Sequence, residues 1–473
     1  MNNINHFFRN AKIKSAPSYL AIAIIVIYII ATNYNSKNWE KENHVIVNDI
    51  KLYYAYLPAI FIYNDLSFDF VYEDFEKHKK HLWFIESPKG DRTLITTFGM
   101  AMAYSPFFLI TRAIAPLLGY ESEYSLPYKF ALIFSSLFYV LLGLFFIRKL
   151  LLKYFTEIVT SITILIIGLG TNLFIYTTRE APMPHAYEFG LISTYLFLVY
   201  KWYEKPKIIY TFWVGFLAGL ITLIRPTNIL VLLILFFWGI TSFEGMVQRV
   251  RFFIRSYKLV IIMIGSFILI WIPQFLYWYD ISGSIFFYSY EKSGGNFYFA
   301  NSQIFNQWFS YRKGWLVYTP IMIFAITGFV FLARNRKELF MPVLIYFLAM
   351  VFILSSWWSW WFGGGFGIRS YIDMYGVLAI PIAATLTAGL KSKVPVKIVI
   401  LSLVGFLIFL NLFQTFQYRK GIIHYDSMTK KAYWSVFLKK RRPANFYQLL
   451  EKPDYQKARK GVYEIVPNYY SKD

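Results

Sequence analysis

LITTFGMAMAYSPFFLITRAIAPLL, residues 94–118, is long and apolar enough to cross a membrane, and whether it crosses sets the orientation of everything after it. Other stretches of similar character lie at 17–33, 128–147, 158–177, 184–200, 208–224, 227–243, 259–279, 315–333, 339–356, 372–390 and 397–416. The basic residues decide between the two topologies. Arg9, Lys12 and Lys14 precede the first span without an acid among them, which puts the N-terminus inside. If 94–118 does not cross, the inside loops hold Arg148, Lys149 and Lys153; Lys201, Lys205 and Lys207; Arg249, Arg251, Arg255 and Lys258; Arg334, Arg336 and Lys337; and Lys391, Lys393 and Lys397. If it does cross, all of these face outward, against the positive-inside rule. We therefore expect about eleven transmembrane helices, with 94–118, interrupted by Gly99 and Pro106, lying in or dipping into the outer leaflet.

This makes the chain an all-α polytopic membrane protein. Residues 1–416 form the transmembrane domain, with a large first extracytoplasmic loop at about 34–127 that carries juxtamembrane helices, and 417–473 form a small extracytoplasmic tail. The first apolar segment reads as an uncleaved helix, since Asn33, Tyr34 and Asn35 follow it without a small-residue cleavage site. Composition agrees: of 473 residues, 57% are hydrophobic and only 16% charged, against about 25% charged in a typical soluble domain. The formal charge of +22 sits mostly in short runs between apolar segments, as expected of membrane loops, so no nucleic acid is expected as a partner. The absence of cysteine removes disulfides, thiol nucleophiles and thiolate metal sites, and the six histidines include no HxxxH pair.

Ionisable residues concentrate at the outer face. NDIKLYYAYLPAIF, residues 48–61, starts a helix at Asp49 and gives it one aromatic face of Tyr53, Tyr54, Tyr56, Leu57 and Phe61, suited to the membrane interface. Asp49 reads either as a functional carboxylate or as an ordinary N-cap. YTTREAPMPHAYEFG, residues 176–190, crowds Arg179, Glu180, His185 and Glu188 at a membrane boundary. Arg179 reads as a snorkelling surface residue, Glu180 and His185 read either as surface groups or as functional ones, and Glu188 lies within the next apolar segment, where an ionisable group is a functional candidate. Arg225 interrupts GLITLIRPTNILVLL, residues 219–233, on the side where a topological anchor does not belong. Arg312 and Lys313 precede an outward-starting span, and WWSWWFGGGFGIRSYIDMYG, residues 357–376, contains Arg369 and Asp373. Its tryptophans read either as site residues or as an aromatic belt. Arginine binds phosphate bidentately, so this basic outer face suits an anionic lipid headgroup.

In order and topology these motifs resemble the GT-C glycosyltransferases, most closely the bacterial relatives of protein O-mannosyltransferases and aminoarabinose transferases. The resemblance rests on Asp49, TTFGMAMAYSPFFL, the region around Glu180, LIRPTN, and SYRKGWLVYTP followed by WWFGGGFGIRSYID. It implies a GT-C-like fold in the bacterial cytoplasmic membrane with an extracytoplasmic active site. It also implies inverting transfer of a hexose or pentose from a polyprenyl-phosphate-linked donor to a protein, lipid or glycan acceptor. Asp49 takes the place of the general base. Glu180 is expected as the second catalytic acid, with His185 and Glu188 as alternatives in the same loop. Tyr54, His185, Arg225, Arg312, Lys313 and Arg369 are expected to bind substrate, the cations stabilising the departing lipid phosphate. No resident cofactor and no metal ligand set is expected, although related enzymes differ in their use of divalent ions. The competing readings are a flippase or transporter of lipid-linked saccharides, a polysaccharide polymerase or ligase, and a non-catalytic scaffold. A flippase predicts polar residues along the helices and repeated halves, and neither is visible in the sequence.

Overall fold

The computed structural model describes residues 16–73, 82–291 and 294–463. The basic N-terminal run of Arg9, Lys12 and Lys14 and the last residues of the tail lie outside the described residues. Among the described residues the chain is a bundle of apolar helices, with one small β-hairpin pairing Ile85–Glu86 with Arg92–Thr93.

Among the described residues, seven helical segments are long and apolar enough to cross a membrane by length and composition: Ala16–Glu40, Gly99–Leu118, Leu126–Leu151, Tyr257–Ser282, Lys337–Ser355, Arg369–Lys391 and Val394–Arg419. Four shorter apolar helices, Glu157–Leu169, Ile208–Ile224, Pro226–Phe237 and Pro320–Asn335, occupy the remaining expected spans except 184–200. That segment is the helix Pro184–Glu204, buried along almost its whole length and carrying His185 and Glu188. The helices used below are α1 (Ala16–Ser36), α2 (Asp49–Pro58), α3 (Gly99–Ile114), α4 (Leu126–Leu151), α5 (Pro184–Glu204), α6 (Ile208–Ile224) and α7 (Val394–Arg419).

The course of the first loop follows from contacts at its two ends. Lys129, at the start of α4, donates to the carbonyls of Lys41 and Glu42 just beyond α1, at 2.9 and 3.1 Å. The chain that leaves α1 therefore returns to the same end of the bundle before α4 begins. Helix α3 packs along the first half of α4, with Tyr139 donating to the Ala103 carbonyl and Phe108 against Tyr128.

Two local expectations change. Gly99 does not interrupt a helix but starts α3, and it lies so close to the end of α6 that a Cβ would stand 2.4 Å from the Ile224 nitrogen. Pro106 does not break the helix. Proline cannot donate to the carbonyl four residues back, and the Ser105 hydroxyl donates to that Met102 carbonyl instead, at 2.8 Å.

The aromatic face of α2 does not lie at a membrane interface. Tyr54, Tyr56 and Leu57 are buried against α3 and its flanks, with Tyr54 edge-on to Phe108 and Tyr56 edge-on to Phe98. Their hydroxyls are satisfied inside the protein, Tyr54 donating to the Glu123 carbonyl and Tyr56 to that of Thr96, each at 2.6 Å. A buried phenol with its hydroxyl paired contributes apolar area without an unmet polar group. The loop thus forms its own packed layer and sets Asp49 rigidly at the start of α2.

Candidate functional site

The end of the bundle that carries residues 37 and 125 holds a cavity of about 570 Å³. Its lining includes Asp49, His185, Arg225 and Arg369, from four separate stretches of chain. Each is placed by an element end. Asp49 is the first residue of α2, and His185 lies in the first turn of α5. Arg225 adopts extended backbone where α6 ends and Pro226 opens a 3₁₀ turn. Arg369 begins the 3₁₀ turn Arg369–Met374.

That turn follows a glycine-rich loop in which Phe362, Gly363 and Gly367 have φ of 55°, 65° and 61°. Left-handed backbone favours glycine. Gly365 is required for a second reason, since a Cβ there would stand 2.5 Å from the Tyr176 hydroxyl.

Two linked ion-pair systems face the cavity. Arg369 Nη2 donates to Asp49 Oδ2 at 3.3 Å, with the Asp49 side chain still 44% exposed. Four residues on from Arg369, Asp373 is wholly buried behind the wall. Its Oδ2 meets Arg225 Nη1 at 3.3 Å and Asn228 Nδ2 at 3.1 Å, and its Oδ1 meets His185 Nδ1 at 3.0 Å. One 3₁₀ turn therefore carries both a cavity cation and the carboxylate that holds the other. Glu188 is fully buried next to this group, close enough to feel the charges of Asp373 and Arg225, with the Asn228 side chain beside its carboxylate.

The other expected residues stand elsewhere. Glu180 lies 3.8 Å from Arg179 Nε and does not line the cavity. Arg179 also donates to the Tyr418 and Arg419 carbonyls in the last turn of α7, as a cation at a helix C-terminus should. Tyr54 is buried in the loop's own core, and its neighbour Tyr53 lines the cavity instead.

Arg312 and Lys313 are also buried outside the cavity lining. Arg312 donates to the Asp426 carbonyl at 2.6 Å and the Glu451 carbonyl at 2.9 Å. Lys313 donates to the carbonyls of Gly365 and Tyr425. Together they tie the tail to the glycine-rich loop. Burial, reinforced by the nearby Arg369 and Arg312 charges, pushes the Lys313 ammonium down to about 7. Burial alone would raise the Asp426 carboxyl, but hydrogen bonds from His424 and Ser427 hold it below the usual carboxylate range.

The sequence gives no role to Asp373, Asn228, Tyr290 or Arg459, and it leaves open whether Trp357 and Trp358 belong to the site or to an aromatic belt. The last four line the cavity, the arginine stacked over Trp358 at 5.3 Å. The spacings R-x-x-N at 225–228 and R-x-x-x-D at 369–373 carry the signal for the first two, but only the 3₁₀ turns bring those side chains together.

No family model matches the chain, and no curated protein is significantly similar to it. Solved structures are. The archaeal oligosaccharyltransferase AglB from Archaeoglobus fulgidus, in complex with an inhibitory peptide and a dolichol-phosphate, superposes with TM-score 0.53 at 12% identity, over 89% of this chain and 57% of that one. The same organism's enzyme in its apo form gives 0.54 at 14% identity, over 97% and 60%. Its complex with zinc and sulfate gives 0.53 at 15% identity, over 96% and 58%. The neighbours are GT-C superfamily glycosyltransferases, and the fold of this chain is theirs. The chain spans less than two thirds of their length.

A metal such as the zinc of that complex does not fit the described residues. No three His, Asp or Glu side chains among them converge on one point, and the two cavity-side carboxylates face guanidinium groups instead.

Proposed function

We propose that the chain transfers a sugar from a polyprenyl-phosphate-linked donor to an acceptor hydroxyl or amine, with inversion, at the extracytoplasmic face of a bacterial cytoplasmic membrane. The observation that carries this reading is a cavity lined by one partly exposed carboxylate, Asp49, and by the guanidinium groups of Arg225 and Arg369, with Arg459 as a third arginine in the lining. That pairing matches the two needs of the reaction. Asp49 takes the proton as the acceptor attacks the anomeric carbon. The bond from that carbon to the phosphate oxygen breaks, and the electron pair leaves with the lipid phosphate. Two fixed guanidinium groups stabilise that charge without any acid having to protonate it.

Arg369 also sets the order of events. It is bonded to Asp49 at 3.3 Å. A donor phosphate competes for the same guanidinium and so releases the carboxylate to the acceptor. Glu180, outside the cavity lining, plays no part in this scheme; Arg312 holds the tail, and Lys313 ties the tail to the glycine-rich loop. The dolichol-phosphate bound to the archaeal neighbour supports a lipid-linked donor. The acceptor is a protein, a lipid or a glycan. The test compares glycans and glycoproteins of a deletion strain with its parent by mass spectrometry. Loss of one sugar mass, restored by the wild-type chain and not by Asp49→Asn, is expected; identical profiles overturn the proposal.

A further inference from the structure

His185 lines the cavity, yet its Nδ1 is turned to Asp373 Oδ1 at 3.0 Å. A carboxylate only accepts hydrogen bonds, so the shared hydrogen sits on Nδ1. Arg225 Nη1 lies 3.1 Å from the same Nδ1. A guanidinium only donates, and a protonated Nδ1 has no lone pair to receive it. That approach is therefore a contact, and Arg225 makes its bond to Asp373 Oδ2. Asn228 donates to the same oxygen at 3.1 Å, so both carboxylate oxygens are held. A neutral imidazole fixed in this way keeps its lone pair on Nε2, to which no described residue donates.

We propose that His185 Nε2, oriented by Asp373, accepts a hydrogen bond from a hydroxyl of the donor's sugar. The inference rests on the transfer reading above and extends it to how the sugar is told from bare lipid phosphate. The argument is one of neighbourhood and polarity. A phosphate gripped by Arg225 sits beside the imidazole, because the guanidinium and the ring are themselves in contact. The nearest donors on such a ligand are the hydroxyls of the sugar joined to that phosphate. Arg225 and Arg369 can only donate, and the Asp49 carboxylate, once phosphate takes its place on Arg369, is committed to the acceptor. A wall made of those groups alone holds lipid phosphate with or without its sugar. Nε2 adds a contact that only the sugar-bearing lipid can use. Asp373 touches no substrate; it is the positioning residue that fixes the tautomer.

Two readouts test this independently. The first is nitrogen NMR of protein labelled with ¹⁵N-histidine, the His185 resonances being assigned by their loss in His185→Gln. Protonated Nδ1 with bare Nε2 is expected in the wild type, and loss of that preference in Asp373→Asn. An Nε2-protonated or doubly protonated ring in the wild type overturns the proposal, and so does an unchanged tautomer in Asp373→Asn. The second readout is affinity of the detergent-purified chain for undecaprenyl phosphate and for undecaprenyl-phosphomannose. His185→Phe should weaken the mannosyl lipid by about three- to tenfold, the range of one net hydrogen bond, and leave undecaprenyl phosphate unchanged. His185→Gln, which retains an acceptor oxygen, should recover part of the difference. Equal losses on both lipids, or none, overturn the role of Nε2. A wild-type chain that binds neither lipid overturns the transfer reading itself, a failure the tautomer measurement keeps separate.

Discussion

Arg225→Met removes two things at once, and the structure says how to separate them. The guanidinium is the cation that Asp373 faces at 3.3 Å, and that carboxylate is completely buried. Removing one partner of a buried pair leaves an uncompensated charge and costs about 3–5 kcal/mol of stability. Asn228 and His185 still hydrogen-bond the carboxylate, which places the loss at the lower end of that range. Removing an oriented cation from a developing phosphate charge costs on the order of 3 kcal/mol of transition-state stabilisation, about two decades in rate. The double variant Arg225→Met with Asp373→Asn distinguishes the two. Its Asn is neutral and isosteric, so the stranded charge is gone and most of the stability returns. The phosphate ligand is still missing, so transfer stays about two decades down. Arg225→Lys should restore only part of the rate, because an ammonium cannot bind bidentately. The assay pairs melting in detergent with transfer from a polyprenyl-phosphate sugar. A double variant that regains transfer to within about threefold of wild type would refute the reasoning, since Arg225 would then serve only to neutralise Asp373.

Other outcomes follow from the same geometry. Cysteines placed at Ser67 and Ser122 in this cysteine-free chain should both react with an impermeant reagent from outside, and one at Lys207 only after permeabilisation; opposite labelling of the first two contradicts the course of the first loop. Tyr54→Phe should cost about 0.5–1.5 kcal/mol through its lost bond to the Glu123 carbonyl and leave transfer unchanged, which thermal melting and the transfer assay read separately. Lys313 has a folded pKa near 7 against an ordinary 10.5, so the unfolded chain binds its proton more tightly between those values. Stability should therefore rise as pH increases from about 7 towards 10.5, and melting of Lys313→Met across that range should lack this contribution.

The bundle was legible because membrane spans are written as long apolar runs; Lys and Arg in the loops argue against 94–118 as a span, whereas Gly99–Leu118 is by length and composition able to cross. The sequence was less informative wherever apolar character has two possible partners. Tyr54 and Tyr56 read equally well against lipid or against protein, and only packing against Phe98 and Phe108 shows which face meets them. Pro106 reads as a break until a neighbouring serine takes over the orphaned carbonyl. At the site, Asp49, Arg225 and Arg369 stand out as charges where charges are expensive, and the fold brings them to one cavity. Arg312 and Lys313 stand out for the same reason, yet their hydrogen bonds go to backbone carbonyls. Charge at a boundary marks a residue with a task, and cannot say whether that task is holding a ligand or holding a loop. Asp373 carries the opposite lesson: it hides in a motif rich in glycine and tryptophan, and its importance comes from the turn that aims it at His185 and Arg225.

The most direct test of the account is Asp49→Asn, measured as sugar transfer from a polyprenyl-phosphate donor by purified protein, with donor binding followed in parallel. The amide keeps the side chain's size but cannot take a proton at neutral pH, and no helix cap is lost, because Asn48 and not Asp49 stands at the N-cap of α2. Asp65→Asn and Asp69→Asn, in the same loop and absent from the cavity lining, serve as controls with normal turnover. The account predicts intact donor binding with transfer lowered by about two to four decades. Wild-type turnover in Asp49→Asn would contradict it.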